Sequence, residues 1–204
     1  DAYADQSSMT DDQKSAALAV QTANNKIMTV VNTFAAVADG SGMAASDAFN
    51  LTIGSMADVV KAKITAGNEL NFTTDMAAIV TEVKADLKTY SDANASLNIS
   101  TNEFNAVVDE AKKVVDNVIS KIEAFTIATS DADKQAVIAT IGSVVEEVKT
   151  AAIVVEGGGT LGIDSADLTK LEAKITNNAP TDIKFMSGGS IVNTVEIAEN
   201  ESSL

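Results

Sequence analysis

Apolar residues recur every three or four positions along five long segments of this chain, and this spacing constrains the fold more than any other feature. It places apolar side chains on one face of an α-helix. The segments lie at 10–39, 43–66, 74–93, 100–125 and 130–155, and a shorter helix is predicted at 165–176. With short linkers, such helices pack antiparallel. We therefore predict a mainly α fold, an elongated up-and-down bundle of five long helices plus one short helix.

Capping residues and glycines support these boundaries. Thr10 and Gln13 have capping-box spacing, as do Ser100 and Glu103, and Ser130 opens the fifth segment. The glycines at positions 40 and 42 are expected to stop the first helix. The second segment also alternates like a strand in "FNLTI" and contains a glycine at position 54. The core stripes of the first two helices are predicted to contain Val20, Ile27, Val31, Phe34 and Val37, and Phe49, Ile53, Met56, Val60 and Ile64.

Charge and missing residue types exclude several functions. The chain has 29 acidic residues against 14 lysines, and it contains no arginine, histidine or cysteine. Nucleic-acid binding is disfavoured because no basic patch exists. Catalytic Ser-His triads, thiol chemistry and ordinary zinc sites are excluded as well. The sequence has no run of about 18 apolar residues, so no membrane span is predicted.

The pattern changes after Pro180, where alternating residues in "TDIKFM" and "SIVNTVEIAEN" flank the turn "SGG". This period of two predicts a short C-terminal β-ribbon. Two strands alone are marginal in water, so the ribbon is expected to dock or to continue into further strands. We divide the chain into an N-terminal tail (1–9), a helical bundle (10–179) and an incomplete β segment (180–204).

The strings "NNAPTDIKF", "GGSI" and "VEIAENESSL" resemble the start of a cadherin-like repeat of the kind found in giant bacterial surface and secreted adhesins. Asn178 and Pro180 match the family's junction, and Glu199 with Asn200 matches its Glu-Asn pair. The resemblance covers about 25 residues of the chain, at 177–204, and no family is matched by the helical part. It implies that the chain is a fragment of a longer polypeptide whose neighbouring repeats are its first partners.

The same resemblance implies a calcium site. Glu199 and Asn178 would be its ligands here, but the acidic cluster before the junction and the downstream Asp motifs of the family are missing. The site is therefore expected to be incomplete, because calcium takes six to eight oxygen ligands. Asp164, in "GTLGID", matches one degenerate calcium-binding nonapeptide; the alternative is that the preceding glycines end one helix and Asp164 or Ser165 caps the next. No cofactor is expected in this chain, and calcium is expected only in a longer polypeptide.

Two functions follow from these observations. The first is a non-catalytic structural spacer or adhesion module of a large extracellular or cell-surface bacterial protein, with an unknown surface, glycan or protein ligand. The alternative is a sensor-like helical bundle that binds a ligand or protein, with Asn24, Asn25 and Thr140 as polar candidates inside the apolar stripes. An enzyme is not expected, because acidic neighbours such as Asp109 and Glu110 diverge on a helix.

Overall fold

The structure is a computed structural model that describes residues 8–94, 101–156, 183–187 and 190–195. Its helices there are α1 (Asp11–Gly40), α2 (Ala45–Thr65), α3 (Phe72–Ala93), α4 (Thr101–Glu123) and α5 (Asp131–Glu156). The prediction of a mainly helical chain with five long helices is confirmed. Strands β1 (Ile183–Ser187) and β2 (Ser190–Val195) pair antiparallel. The short helix at 165–176 lies outside the described residues, and the identity of 180–204 as the start of a repeat stays a prediction.

Three helices begin at side-chain caps. Thr10 Oγ1 accepts a hydrogen bond from the Gln13 amide (3.3 Å), and Gln13 Oε1 accepts one from the Thr10 amide (3.0 Å), which confirms the predicted capping box. Ser130 Oγ accepts from the Asp133 amide before α5. Asn71 caps α3, so this helix begins two residues earlier than predicted. The box predicted at positions 100 and 103 lies outside the described side chains.

Two of the described helices are followed, two residues after their last residue, by a glycine with positive φ. Gly42 (φ 92°) follows α1 and Gly67 (φ 73°) follows α2. In each case the amide of the residue after the glycine donates to the carbonyl five positions earlier, Met43 to Ala38 and Asn68 to Lys63. This is the Schellman motif, which satisfies carbonyls that have no partner within the helix. The predicted stop of α1 is thus located at position 42.

Gly40 has a different role from the predicted one. It is the last residue of α1, it is buried, and it packs against α5. A Cβ at this position would lie 2.4 Å from the Lys149 carbonyl oxygen and 2.7 Å from the Ala152 Cβ. Gly40 therefore lets the backbones of α1 and α5 approach closely, and its contribution is to packing rather than to ending the helix.

Contacts between side chains show the direction of each helix. Ser55 bonds to Asp86 and Lys63 pairs with Asp75, so residue numbers rise along α2 as they fall along α3. These two helices are antiparallel. By the same reasoning α3 and α4 are antiparallel, since Lys84 pairs with Asp109 and Thr73 Oγ1 donates to Glu123.

Helix α1 contacts α2, α4 and α5, and α3 lies between α2 and α4. The C-terminal ends of α1 and α5 lie together at Gly40 and Ala152, so these two helices are parallel. Lys26 pairs with Glu123, the last residue of α4, at 3.1 Å. The first turns of α1 therefore extend past the end of α4. No described residue before Thr29 is buried, so the prediction that Val20 and Ile27 belong to the core is wrong.

The core has two parts. The larger cluster joins the second half of α1 to α2, α3, α4 and the last turns of α5. The smaller one lies between α4 and α5. All six of its residues belong to the apolar positions, three or four residues apart, that predicted the fourth and fifth helices, so the prediction that these positions are buried is confirmed for them. The smaller cluster consists of Val114, Val118, Ile122, Val137, Ile141 and Val144.

Candidate functional site

Helix α2 has two apolar faces, and the bundle buries the one with smaller side chains. The core side of α2 consists of Ala48, Thr52, Ser55, Met56 and Val59. Its hydroxyl groups are satisfied locally. Thr52 Oγ1 donates to the Ala48 carbonyl (2.9 Å), and Ser55 Oγ lies 2.6 Å from Asp86 Oδ2. This face therefore packs closely against α3 without leaving a hydroxyl unpaired.

The larger apolar side chains of α2 point outward. Phe49, Ile53 and Ile64 are 38%, 43% and 69% exposed. These three residues lie on one helix face, as predicted from their spacing. The prediction that the face belongs to the core is wrong for these three. They form the wall of a surface groove.

The groove lies between α1 and α2 and has a volume of about 540 Å³. Nine of its eleven lining residues are apolar, and Ile27 and Met28 of α1 are exposed opposite α2. Contiguous exposed apolar surface of this kind commonly marks an interaction site. We call this surface the α1–α2 groove. Its lining residues are Ile27, Met28, Val31, Phe49, Ile53, Met56, Ala57, Val60, Lys61, Ile64 and Thr65.

The two polar lining residues lie near the C-terminal end of α2. Thr65 Oγ1 donates to the Lys61 carbonyl at 2.8 Å, so that hydroxyl group is already satisfied. Lys61 is exposed and makes no ion pair with any residue that the structure describes. No carboxylate lines the groove. The arrangement can therefore cover an apolar surface, but it has no convergent polar groups for acid–base chemistry.

The charge of this region differs from that of the rest of the chain. Residues 13–66 contain four lysines and three aspartates, whereas the remaining residues contain ten lysines and 26 acids. Between Gln13 and Ala38, α1 contains no acidic residue at all. The α1–α2 hairpin is therefore a nearly neutral part of a strongly acidic molecule.

A polar cluster at the junction of α2 and α3 has a structural role. The Asp75 carboxylate is buried, and it accepts hydrogen bonds from Lys63 Nζ and from the Asn71 amide (2.9 Å). The hydrogen bond from Lys63, followed by that from Asn71, lowers the pKa of Asp75 below its usual value. These bonds hold the carboxylate ionised at the start of α3, where the helix dipole also favours negative charge.

A second polar cluster joins α1, α3 and α4. Lys26 Nζ pairs with Glu123 and lies 5.5 Å from the centre of the Phe72 ring. Thr73 Oγ1 donates to Glu123 at 3.3 Å. At the other end of α3, the Tyr90 hydroxyl donates to Asp47 at 3.3 Å. Burial and then the Asp47 charge raise the pKa of Tyr90. The Lys26–Glu123 cluster and the Tyr90–Asp47 bond each connect different helices.

Two of the three polar candidates from the sequence, Asn24 and Asn25, do not line the groove. Asn24 is exposed. Asn25 is half-buried, and its Nδ2 has no hydrogen-bond partner among the residues that the structure describes. The side chain of Thr140 lies outside the described part of the chain. Asp109 and Glu110 diverge as expected, since the first pairs with Lys84 on α3 and the second with Lys113 on α4.

The predicted calcium ligands Glu199, Asn178 and Asp164 all lie outside the described residues, so the calcium site stays a prediction. Within the described ranges, no three acidic, histidine or cysteine side chains cluster as a metal site would require. Of the helices described, none is both long and apolar enough to span a bilayer.

The groove was missed by sequence reasoning because both faces of α2 fit an apolar pattern. One signal was available: charged residues are less frequent in α1 and α2, with five in 30 residues and four in 21, than in α3, α4 or α5. A helix with one exposed face normally places charges there. Comparisons with known proteins gave no match to this chain among family models, curated proteins or solved structures.

Proposed function

We propose that this chain is a non-catalytic adhesion or interaction module of a large extracellular bacterial protein, and that the α1–α2 groove is its contact surface. The observation that carries the proposal is the exposed apolar wall of α2, on the outside of a bundle whose core is filled by other residues. The exposure of Phe49, Ile53 and Ile64 to water is unfavourable unless another surface covers them.

The rest of the bundle supports a role as a rigid scaffold. Its core is continuous from α1 to α4, and ion pairs link neighbouring helices, among them Lys84 with Asp109 and Lys149 with Asp39. Surface ion pairs contribute little stability, about 0–1 kcal/mol each. They do fix how the helices are oriented. A scaffold of this kind also suits a structural spacer between repeats.

A protein partner suits the groove better than a small ligand does. Small-molecule sites are usually enclosed and contain a few placed polar groups. The α1–α2 groove is open, and its apolar residues follow the length of α2 from Phe49 to Ile64. Fifteen residue steps on a helix span about 22 Å. An open groove of this length between two helices suits an amphipathic helix. If the chain is instead the sensor-like helical bundle that the sequence suggests as an alternative, the shape of the groove favours a protein ligand over a small molecule.

The extracellular setting and the role of calcium are proposed from the cadherin-like resemblance at 177–204. Calcium would then act at the boundary between repeats and not in the bundle. Calorimetric titration of calcium into this chain, and into a longer polypeptide that contains a complete repeat, tests this. Binding in the longer polypeptide alone is the expected result. Binding in neither removes calcium from the proposal.

The interaction role is tested with immobilised protein and a panel of soluble glycans, extracellular proteins and the chain itself. Ile53→Asp places a charge in the α1–α2 groove, and we expect it to abolish the binding. Ile153→Asp is the matched control, because Ile153 is 50% exposed but lies on α5. Binding that is equal for both variants, or absent for every member of the panel, contradicts an interaction role for the groove and leaves the spacer role.

A further inference from the structure

We infer that the partner of the α1–α2 groove is the same groove of a second copy of this chain, with the two α2 helices antiparallel. This inference rests on the proposed function, because it assumes that the groove is a contact surface. It adds the identity of the partner and the register of the contact. Three observations carry it, namely the spacing of the apolar residues, the charge of the hairpin and the position of Gly54.

The apolar residues of α2 that line the groove are arranged symmetrically about a single point. Phe49 and Ile64 are equally far from the midpoint between Met56 and Ala57, and so are Ile53 and Val60. A two-fold axis at this midpoint would place Phe49 of one copy level with Ile64 of the other. It would likewise place Ile53 level with Val60. Each large side chain would then meet an apolar partner, as a self-complementary two-fold interface requires.

The charge distribution favours a like partner. Each copy has a net charge of −15, so most of its surface repels another copy. Residues 13–66 are the exception, with four lysines and three aspartates. Contact through the α1–α2 groove would bring two nearly neutral faces together and would leave the acidic surfaces apart. A basic partner, in contrast, would be attracted to the acidic helices and not to this face.

Gly54 has no evident role within a single copy. It lies in the middle of α2, where glycine costs about 1 kcal/mol relative to alanine. Its φ is not positive, and a Cβ built there meets no atom within 4 Å. Gly54 is exposed, three residues from Ala57 in the groove wall. Small residues at these positions would let the backbone of a second α2 approach closely, since glycine has no side chain.

The oligomeric state is the first test. Sedimentation velocity over a wide range of concentration is expected to show a shift from the 21.0 kDa chain to twice that mass. Added salt is expected to strengthen the dimer, because it screens the repulsion between two acidic molecules. Ile53→Asp is expected to remain monomeric and Ile153→Asp to dimerise normally. A monomer at every concentration and salt level overturns the inference, and so does a dimer that is unaffected by Ile53→Asp.

The register is tested with cysteines, which the natural chain lacks. Phe49→Cys and Ile64→Cys are oxidised separately and as an equal mixture. We expect a disulfide dimer in the mixture, made of one copy of each variant, and little from either variant alone. In the control mixture, Thr81→Cys, at an exposed position of α3, takes the place of one of these two variants. We expect no cross-linked dimer in that mixture. Efficient self-cross-linking of Phe49→Cys would mean a different register and would overturn the antiparallel arrangement.

The two proposals fail in different ways. If the chain is monomeric but binds another member of the panel in a manner that Ile53→Asp abolishes, the groove is a contact surface and the second copy is the wrong partner. If neither self-association nor any other binding depends on Ile53, the proposed function itself is wrong.

Discussion

Helices α2 and α4 have similar lengths and similar apolar patterns, yet the bundle treats them in opposite ways. The large apolar residues of α4 at Val107, Val115 and Ile122 are completely buried. Those of α2 at Phe49, Ile53 and Ile64 are exposed, while the smaller residues of α2 face the core. An apolar stripe therefore shows that a segment forms a helix, but it does not show that the stripe is covered.

The difference follows from the position of each helix. Helix α4 packs against α1, α3 and α5, so neighbours cover a broad part of its surface. Among the described helices, α2 packs mainly against α1 and α3. Its small face, with Ala48 and Ser55, fits close to α3 and leaves the opposite side open. The unpaired apolar face of α2 is therefore a property of how the helices assemble and not of the α2 sequence alone.

The largest expected effect on stability comes from two variants, one of which places an aspartate in α4 and the other an aspartate in α2. Val115→Asp puts an unpaired carboxylate in the core and is expected to cost at least about 4 kcal/mol, enough to unfold a domain of ordinary stability. Ile53→Asp is expected to change the free energy of unfolding by no more than about 0.5 kcal/mol. Urea unfolding of both variants, at concentrations too low for association, measures this. Equal destabilisation would mean that the α2 face is buried in solution.

A pair of glycine substitutions tests where the bundle is closely packed. Gly40→Ala is expected to destabilise by about 1–3 kcal/mol, because the new methyl group overlaps the Lys149 carbonyl oxygen of α5. Gly54→Ala is the matched change in α2, where the space is open, and it is expected to stabilise a single copy by about 0.4–1 kcal/mol. Thermal unfolding of both variants at low protein concentration measures these two stability changes. A stabilising Gly40→Ala would contradict the close contact of α1 with α5.

Two hydroxyl deletions compare the faces of α2 directly. Ser55→Ala removes a buried donor to Asp86 and is expected to cost about 1 kcal/mol. Thr65→Ala removes an exposed bond to the Lys61 carbonyl, and the change is expected to stay within about 0.5 kcal/mol. Chemical denaturation resolves this difference. A larger cost for Thr65→Ala would show that the groove side of α2 is the more tightly packed one.

The smallest effect concerns acid stability at the start of α3. Because the folded-state pKa of Asp75 lies below its unfolded value of about 3.9, the stabilisation is present above that pH and is lost as pH falls through the folded pKa. We expect Asp75→Asn to lose less stability than the natural chain on acidification below about pH 4. Asp58→Asn, exposed on α2, is the control. Identical acid profiles for the natural chain and Asp75→Asn would contradict the role assigned to the Lys63 pair.

Much of the fold could be read from local pattern. The capping residues Thr10 and Ser130 mark the starts of α1 and α5, and the stripe of α4 is buried as predicted. These features depend on residues three or four positions apart, so a single segment contains the information. The candidate site could not be predicted in this way. Ile53 and Val107 have the same apolar character and similar spacing, and only their neighbours in the bundle distinguish them.

The sequence alone was enough to predict the five long helices found among the described residues and the positions where α1 and α5 begin. The tertiary structure decided that α1 and α5 run parallel around Gly40, that the small face of α2 is buried, and that an apolar groove lies outside. The physical reason is that helix formation depends on local hydrogen bonds and periodicity, whereas burial depends on which helices become neighbours.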